Sequence, residues 1–495
     1  MLPLNLVSDP WIPVVDKQGR CRVIAPWQIA DSSLLRPDWP RADLNIACLE
    51  LLIGLVFLAD PPSDVEDWQD RQAPDPHRLR ERLAPYAPAF NLTGEGPLFL
   101  QDLEPLVGEA NPADMLFIDS SGGNTAKNNA DLMVRRGRYP VLDLPLAAMA
   151  LFAFQAHAPS GGAGNRTSMR GGGPLVSLVD PGHDSTSEGL WPLIWANVPD
   201  GVAQAARALP WMRATRVSDT GAEVHPPPGH AMSAEAFFGM PRRLRLVEGD
   251  GGIIGVIQRP YGTNYGLWQH PLTPYYRQKP GAELLPVHPR PGRFGYRHWL
   301  GILANVRDGD TKQRAQVLRA WRERRGGGSV ILAGWAMDNM KPRDFTHSVQ
   351  PFVALDGDAE LMLAGLIEAA EQAGLALRAG LEPLLGDSAA REAEREAFYA
   401  DTEAAFHRRL GELVKGVATA DVALGWLADL RGVVMARFEA LALPGLDQRD
   451  TDVIRRIVEA QGWLVSCFKG YGKHGGELFG ALMMPLPAKK KKVVT

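Results

Sequence analysis

The sequence predicts an α+β protein: a large irregular mixed α/β domain over residues 1–355, a C-terminal four-helix bundle over 356–487, and a basic disordered tail over 488–495. Three observations predict it. A chain of 495 residues exceeds what one simple core supports. Its first two-thirds alternate short strand-like runs with Pro and Gly turns. From about Ala359 it becomes rich in Ala, Leu and Glu with a helical period.

The elements follow in order. LNLVSD, WIPVVD and CRVIAP read as strands, the last two joined by a KQGR turn into a hairpin. Between Asp43 and Asp60 apolar residues crowd all faces, which describes a buried helix. PPSDVEDWQDRQAPDPH is a connector, HRLRERLAPYAPAF a second helix, and PLFLQD strand-like. A second apolar helix is expected over Leu142–Ala156. PLVSLVD, RRLRLVE and GGIIGVIQRP then read as strands. The bundle comprises ELMLAGLIEAAEQAGLALRAGLEPLL, REAEREAFYADTEAAFHRRLGELVKGV, ADVALGWLADLRGVVMARFEAL and RDTDVIRRIVEAQGWLVSCF. Phe398, Phe406, Leu410 and Leu413 share one stripe of its second helix.

Composition narrows the function. Cys21, Cys48 and Cys467 lie far apart, so neither a disulfide framework nor a cysteine zinc site is expected. The N-terminus lacks a basic segment followed by an apolar run, and the apolar stretches fall short of the ~20 residues of a span. No membrane association is expected, and the cytoplasm is the expected location. Net charge is −4, yet Pro241–Phe345 holds 18 Lys+Arg against 8 Asp+Glu. A basic region inside an acidic chain is a footprint for a polyanion or a solvated face.

Two polar, glycine-containing loops flank the Leu142–Ala156 helix. The first, DSSGGNTAKNNADLMVRRGRYP, precedes it; the second, HAPSGGAGNRTSMRGGGP, follows it with six glycines and no acid. Long loops in compact domains are either functional or disordered. The second loop fails the P-loop pattern, because Gly164 is followed by Asn165, Arg166 and Thr167 instead of Lys-Ser/Thr. It fails the dinucleotide pattern at Thr167. No HExxH, GxSxG or His–Asp metal cluster appears, and His270, His288 and His298 read as structural. No enzyme chemistry is nominated. Glycines admit close backbone approach, and the DNA minor groove presents mainly acceptors to backbone N–H groups. A glycine-rich turn with no partner remains open on the same residues.

The chain resembles the CasA family, large subunits of the type I-E CRISPR Cascade surveillance complex. The resemblance runs through LVSDPWIPV, LNIACLELLIGLV, PAFNLTGEGPLFLQD, FQAHAPSGGAGNRTSMRGGGPLVSLV, FFGMPRRLRL, GLWQHPLTP, GWAMDNMKPRDF and the closing helices. It implies a noncatalytic, RNA-guided DNA binder, and no cofactor is expected. The implied partners are the guide RNA 5′ handle, double-stranded target DNA, the other Cascade subunits and a helicase–nuclease.

By position, the resemblance places a minor-groove glycine loop on Gly161, Gly162, Ala163 and Gly164; Arg166, between this stretch and Arg170–Pro174, is expected on its own charge to contact phosphate. The resemblance places a basic finger on Arg259, where the family carries lysine, and a strand-separating wedge on Asn339, where it carries glutamine. Arg277 and Lys279 correspond to lysines that guide the displaced strand. Lys127, Asn128 and Asn129 fall in the loop that docks near the guide-RNA end. Where some members bind zinc after RRLRL, this chain reads VEGDGG, so a tight turn is expected without metal. Arg170–Pro174 is expected to return the chain to the core. Two other readings stand beside this one: an enzyme acting on a phosphorylated small molecule with the glycine loop as anion cradle, and a protein-only scaffold.

Overall fold

The computed structural model describes residues 3–120, 127–129, 134–135, 137–162, 164–182, 188–228, 232–307, 311–324, 328–355 and 357–487. It contains two compact units, Met1–Gly292 with Arg314–Phe352, and Arg293–Gln313 with Val353–Thr495. The segment 293–313, expected in the first domain, therefore belongs with the C-terminal helices. The expected tail, 488–495, lies outside the described residues.

In the first unit β1 (Ile12–Asp16), β2 (Cys21–Ile24) and β3 (Leu34–Pro37) form a sheet in the order β2-β1-β3. The expected β1–β2 hairpin is present, its Gly19 at φ +78° in the turn. LNLVSD and PLFLQD are not strands: Asn5 makes only an isolated bridge with Asn91, and Phe99 closes back on Asn91. Helix α1 (Ala42–Ala59) is apolar on all faces and buried; by length and composition alone it could cross a bilayer, but 89% of it lies inside the protein.

Helices α2 (Val65–Asp70) and α3 (Pro76–Leu83) start on the caps Asp64 and Asp75. α3 is shorter than expected because Pro85 and Pro88 divert the chain into a 3₁₀ turn. β4 (Ala110–Pro112) follows, then α4 (Leu144–His157), capped by Asp143 through the Leu146 amide (2.8 Å) and packed on α1. β5 (Val176–Asp180) and α5 (Leu190–Ala196) follow the glycine loop.

β6 (Arg243–Gly249) and β7 (Gly252–Arg259) pair through the expected tight turn at Asp250-Gly251, with β4 on the outer edge of β7. β8 (Tyr275–Tyr276), β9 (Leu285–Pro286) and β10 (Lys312–Gln313) are two-residue strands, and α6 spans Gln316–Arg324. β11 (Ser329–Asp338) and β12 (Lys341–Pro351) form the longest hairpin, with β5 antiparallel on the other side of β11. Neither hairpin strand was among the expected ones.

The second unit holds α7 (Gly357–Gly380), α8 (Ser388–Val414), α9 (Thr419–Ala442) and α10 (Thr451–Cys467). A shorter fifth helix, α11 (Gly472–Ala481), was not expected; it packs on α7 and α10. Phe398, Phe406, Leu410 and Leu413 are buried on one stripe of α8, as their spacing predicts. Tyr296, from segment 293–313, stacks on Phe406 with centroids 4.3 Å apart and bonds Thr402 Oγ1 at 2.7 Å. These buried aromatic contacts place 293–313 with the helices.

Candidate nucleic-acid interface

Helix α4 ends at His157, and Pro159 helps to stop it. The loop that follows closes on itself in tiers. The Gly173 amide donates to His157 O (2.8 Å) and the Ser168 amide to Ala158 O (3.0 Å). At the apex, the Gly161 amide donates to Asn165 O (3.2 Å) and the Asn165 amide to Gly162 O (2.7 Å). Gly161 and Gly162 are exposed, and Gly162 has φ +68° with open space where a Cβ would stand. Gly164 has φ +78°, and a Cβ there would come within 2.7 Å of the Tyr261 ring. Ala163 lies outside the described residues.

Buried charge fixes both ends of the loop. Glu50, in the middle of α1, accepts from His157 Nε2 (2.7 Å) and Arg170 Nη2 (2.7 Å). Arg170 also donates to Thr273 Oγ1 (3.2 Å), and His288 Nε2 donates to the Arg170 carbonyl (3.1 Å). Burial alone would raise the Glu50 carboxyl, but the Arg170 charge and His157 outweigh it and hold it well below the usual range. His270, 3.9 Å from Glu50, is pushed well below its ordinary value, chiefly by burial and then by Arg170.

Register brings the other predicted residues to the same loop. Because β5 runs antiparallel to β11, with Val176 opposite Ala333, the loop's return segment lies beside the end of β11 that leads to the hairpin tip. Gly173, at φ +64°, abuts the Trp335 carbonyl, and a Cβ on Gly172 would come within 2.6 Å of Pro159 Cα. Arg170–Pro174 thus packs the loop onto the sheet. At the hairpin tip Asn339 and Met340 have φ +48° and +62°, both positive, as a type I′ turn requires. Asn339 is exposed and donates to Asp338 Oδ1 (3.0 Å); Arg343 holds the other Asp338 oxygen (2.9 Å). Ser160, Thr167, Gly171, Gly172, Met337 and Asn339 help line one surface groove of about 310 Å³.

The end of β7 completes the cluster. Gln258 Nε2 bonds Asn165 Oδ1 (3.1 Å), and the Tyr261 amide bonds Gly164 O (2.8 Å). Arg259, between them, is exposed and has no ion-pair partner among the described residues. The structure therefore brings the loop and the Asn339 tip to one groove, and sets the chain on either side of Arg259 against the loop, while the Arg259 guanidinium itself lies near Gly108.

Arg166 stands differently. Its guanidinium donates to Ser218 Oγ (2.8 Å) and Ser218 O (2.9 Å), so it ties the loop to the 218 turn instead of standing free for a phosphate. Arg277 and Lys279 sit in the turn between β8 and β9; Arg277 donates to Ala282 O. That hairpin reaches the groove only at its base, through His288 and Pro289.

Lys127, Asn128 and Asn129 are exposed, while 121–126, 130–133 and 136, the rest of that expected loop, lie outside the described residues. Its C-terminal end is anchored: Arg138 and Arg41 both pair with Asp119, at 2.9 and 3.1 Å, and lie over the Phe117 ring. Burial would raise the Asp119 carboxyl, but these two arginines hold it below its ordinary value.

Three contributors escaped sequence reasoning. Tyr261 is 42% exposed, at φ +63°, with its ring against Gly164. Arg242 is 4% exposed beneath the loop. Glu50 could have been found, because a carboxylate inside an all-apolar helix requires a buried partner. Among the described residues no group of three or more His, Cys, Asp and Glu side chains is placed to hold a metal ion.

Comparison with known proteins identifies the family and the fold. Residues 5–436 match the family model described as CRISPR-associated protein Cse1. Thermobifida fusca Cse1 superposes with a TM-score of 0.71 at 18% identity, over 97% of this chain and 98% of that one. Thermus thermophilus CasA (Cse1) gives 0.68 at 18% identity, over 97% and 100%. A chain of a CRISPR RNA-guided surveillance complex gives 0.67 at 15% identity, over 94% and 100%.

Proposed function

The chain belongs to the CRISPR-associated protein Cse1 family, and from that premise we propose that it is the noncatalytic large subunit of a type I-E Cascade surveillance complex. In this reading it inspects the short protospacer-adjacent motif of a target duplex through the minor groove. It then helps open the duplex into an R-loop and helps recruit the helicase–nuclease. Guide pairing reads the remaining sequence.

One observation carries the reading: the glycine loop and the Asn339 tip share one groove, and the chain flanking Arg259 packs on the same loop, although the three are far apart in sequence. Each suits its task. The exposed apex at Gly161 and Gly162 lets backbone approach the acceptor-lined groove floor. Arg259 supplies a cation suited to a narrow minor groove. Asn339, on a turn at the end of a long hairpin, is the group to enter between parted base pairs. Lys127, Asn128 and Asn129 are assigned to the guide-RNA end, and Arg277 and Lys279 to the displaced strand.

The anion-cradle reading loses support from the same geometry. The loop follows the C-terminus of α4 and leads into a strand, and a helix C-terminus carries the partial negative charge that repels phosphate.

Co-purification with the other Cascade subunits and guide RNA tests the assignment. Binding of that complex to duplexes with intact and scrambled motifs is then measured at one fixed salt concentration. Tighter binding to the intact motif is expected, and equal affinity for both would overturn the reading. Both affinities should fall steeply as salt rises, which a protein-only scaffold would not show.

A further inference from the structure

Arg242 lies at the start of β6 directly under the glycine loop. Its Nε donates to Arg166 O (2.5 Å) and its Nη2 to Pro159 O, so one guanidinium bridges the two sides of the loop's neck. Its Nη1 would stand 3.1 Å from a Cβ on Gly161, immediately behind the apex. The guanidinium also lies over the Phe154 ring, 5.2 Å from the centroid, and the Arg242 amide is held by Gln155 Oε1 (3.0 Å). No carboxylate pairs with it among the described residues, which is unusual for a buried arginine. Burial lowers its pKa to about 10, so it remains charged at neutral pH.

Two consequences follow from elementary electrostatics. The Pro159 and Arg166 carbonyl oxygens at the neck are satisfied from beneath by one side chain, which fixes the two strands of the neck against each other. A charge that no carboxylate pairs with among the described residues projects its field toward the glycine apex directly above it.

We propose that Arg242 is the positioning residue of the probe, presetting the shape of the Gly161–Arg166 apex so that target duplexes with and without the motif are told apart. The inference rests on the minor-groove reading of the loop. A fixed apex avoids the ordering cost that a mobile loop would meet on binding. Lysine cannot replace it, because a single ammonium lacks the planar fork that reaches both carbonyls.

Arg242→Lys and Arg242→Gln, each in the assembled complex with guide RNA, provide the test. Both are expected to reduce the ratio of affinities for intact- and scrambled-motif duplexes about tenfold, with affinity for the scrambled duplex unchanged. Amide hydrogen exchange should accelerate at Gly161 and Asn165 and stay unchanged in α1 and β11. Wild-type discrimination in Arg242→Lys would overturn the proposal. Equal weakening on both duplexes, exchange raised throughout the unit, or failure of both variants to assemble would make Arg242 a folding residue and overturn it as well. Arg259→Ala is run in parallel. If it lowers discrimination while the Arg242 variants do not, only the present inference fails. If neither does, the minor-groove reading itself fails.

Discussion

Glu50 and Arg170 meet at 2.7 Å in the interior of the first unit, side chains 1% and 3% exposed. The pair joins the centre of α1 to the far end of the glycine loop, and His157 brings the near end to the same carboxylate. The loop apex is exposed, but its base is a buried ion cluster.

Acid should loosen this base in two stages. His270 has a depressed pKa, so the unfolded chain binds its proton more readily; its contribution is complete above about pH 6.5 and declines as pH falls below that. Glu50 is also depressed, so its contribution is present above about pH 4.5 and is lost as pH falls through the folded value. Melting temperature measured from pH 8 to 2 should fall in both windows. His270→Asn should flatten the upper one. Glu50→Gln should cost about 3–5 kcal/mol at neutral pH, because it leaves Arg170 buried without a counter-charge.

Glycines of one loop should answer differently to substitution. Gly173→Ala meets the Trp335 carbonyl at φ +64° and should cost roughly 2–4 kcal/mol, read in denaturant unfolding. Gly162→Asp faces open space and should cost only about 1 kcal/mol. In the complex, Gly162→Asp should nevertheless abolish preference for the motif, through bulk and like-charge repulsion. Retained preference in that variant would count against the apex as a probe.

Arg259→Ala should weaken intact-motif duplexes most, by about 1–3 kcal/mol. The side chain is exposed and unpaired among the described residues, so stability should be unchanged. A uniform loss on all duplexes, with a salt slope reduced by about one, would make it a phosphate contact.

Asn339→Ala should slow the opening of a fully paired target about tenfold, because the energy of a wedge offsets an unstacking cost of a few kcal/mol. Targets already mismatched beside the motif should open at wild-type rate. Fluorescence of a base analogue at the first pair reports both. The ten- and eleven-residue ladder of β11 and β12 holds the tip in place, so the hairpin should survive the change.

The helices and the alternating strands were legible because burial imposes periods of 3.6 and 2 on local sequence. Asp143 and Asp387 start helices through side-chain hydrogen bonds, as local caps do. LNLVSD and PLFLQD carry strand-like residues without strand partners, and pairing is a property of distant chain. Segment 293–313 lies within the basic stretch Pro241–Phe345, yet Tyr296 and Trp299 fill the core of the helical unit.

The sequence by itself determined the α+β class, the apolar helix ahead of the loop, the glycines that allow its apex, and the family pattern. Only tertiary structure decided how these parts act together. It set Glu50 against Arg170, Arg242 beneath Gly161, Tyr261 over Gly164, and the Asn339 tip beside the loop's return. It also took Arg166 out of the exposed set by giving it Ser218. The reason is physical. Propensity and periodicity act over a few residues, whereas a buried charge finds its partner across a hundred residues or more, and nothing local in the chain encodes which one.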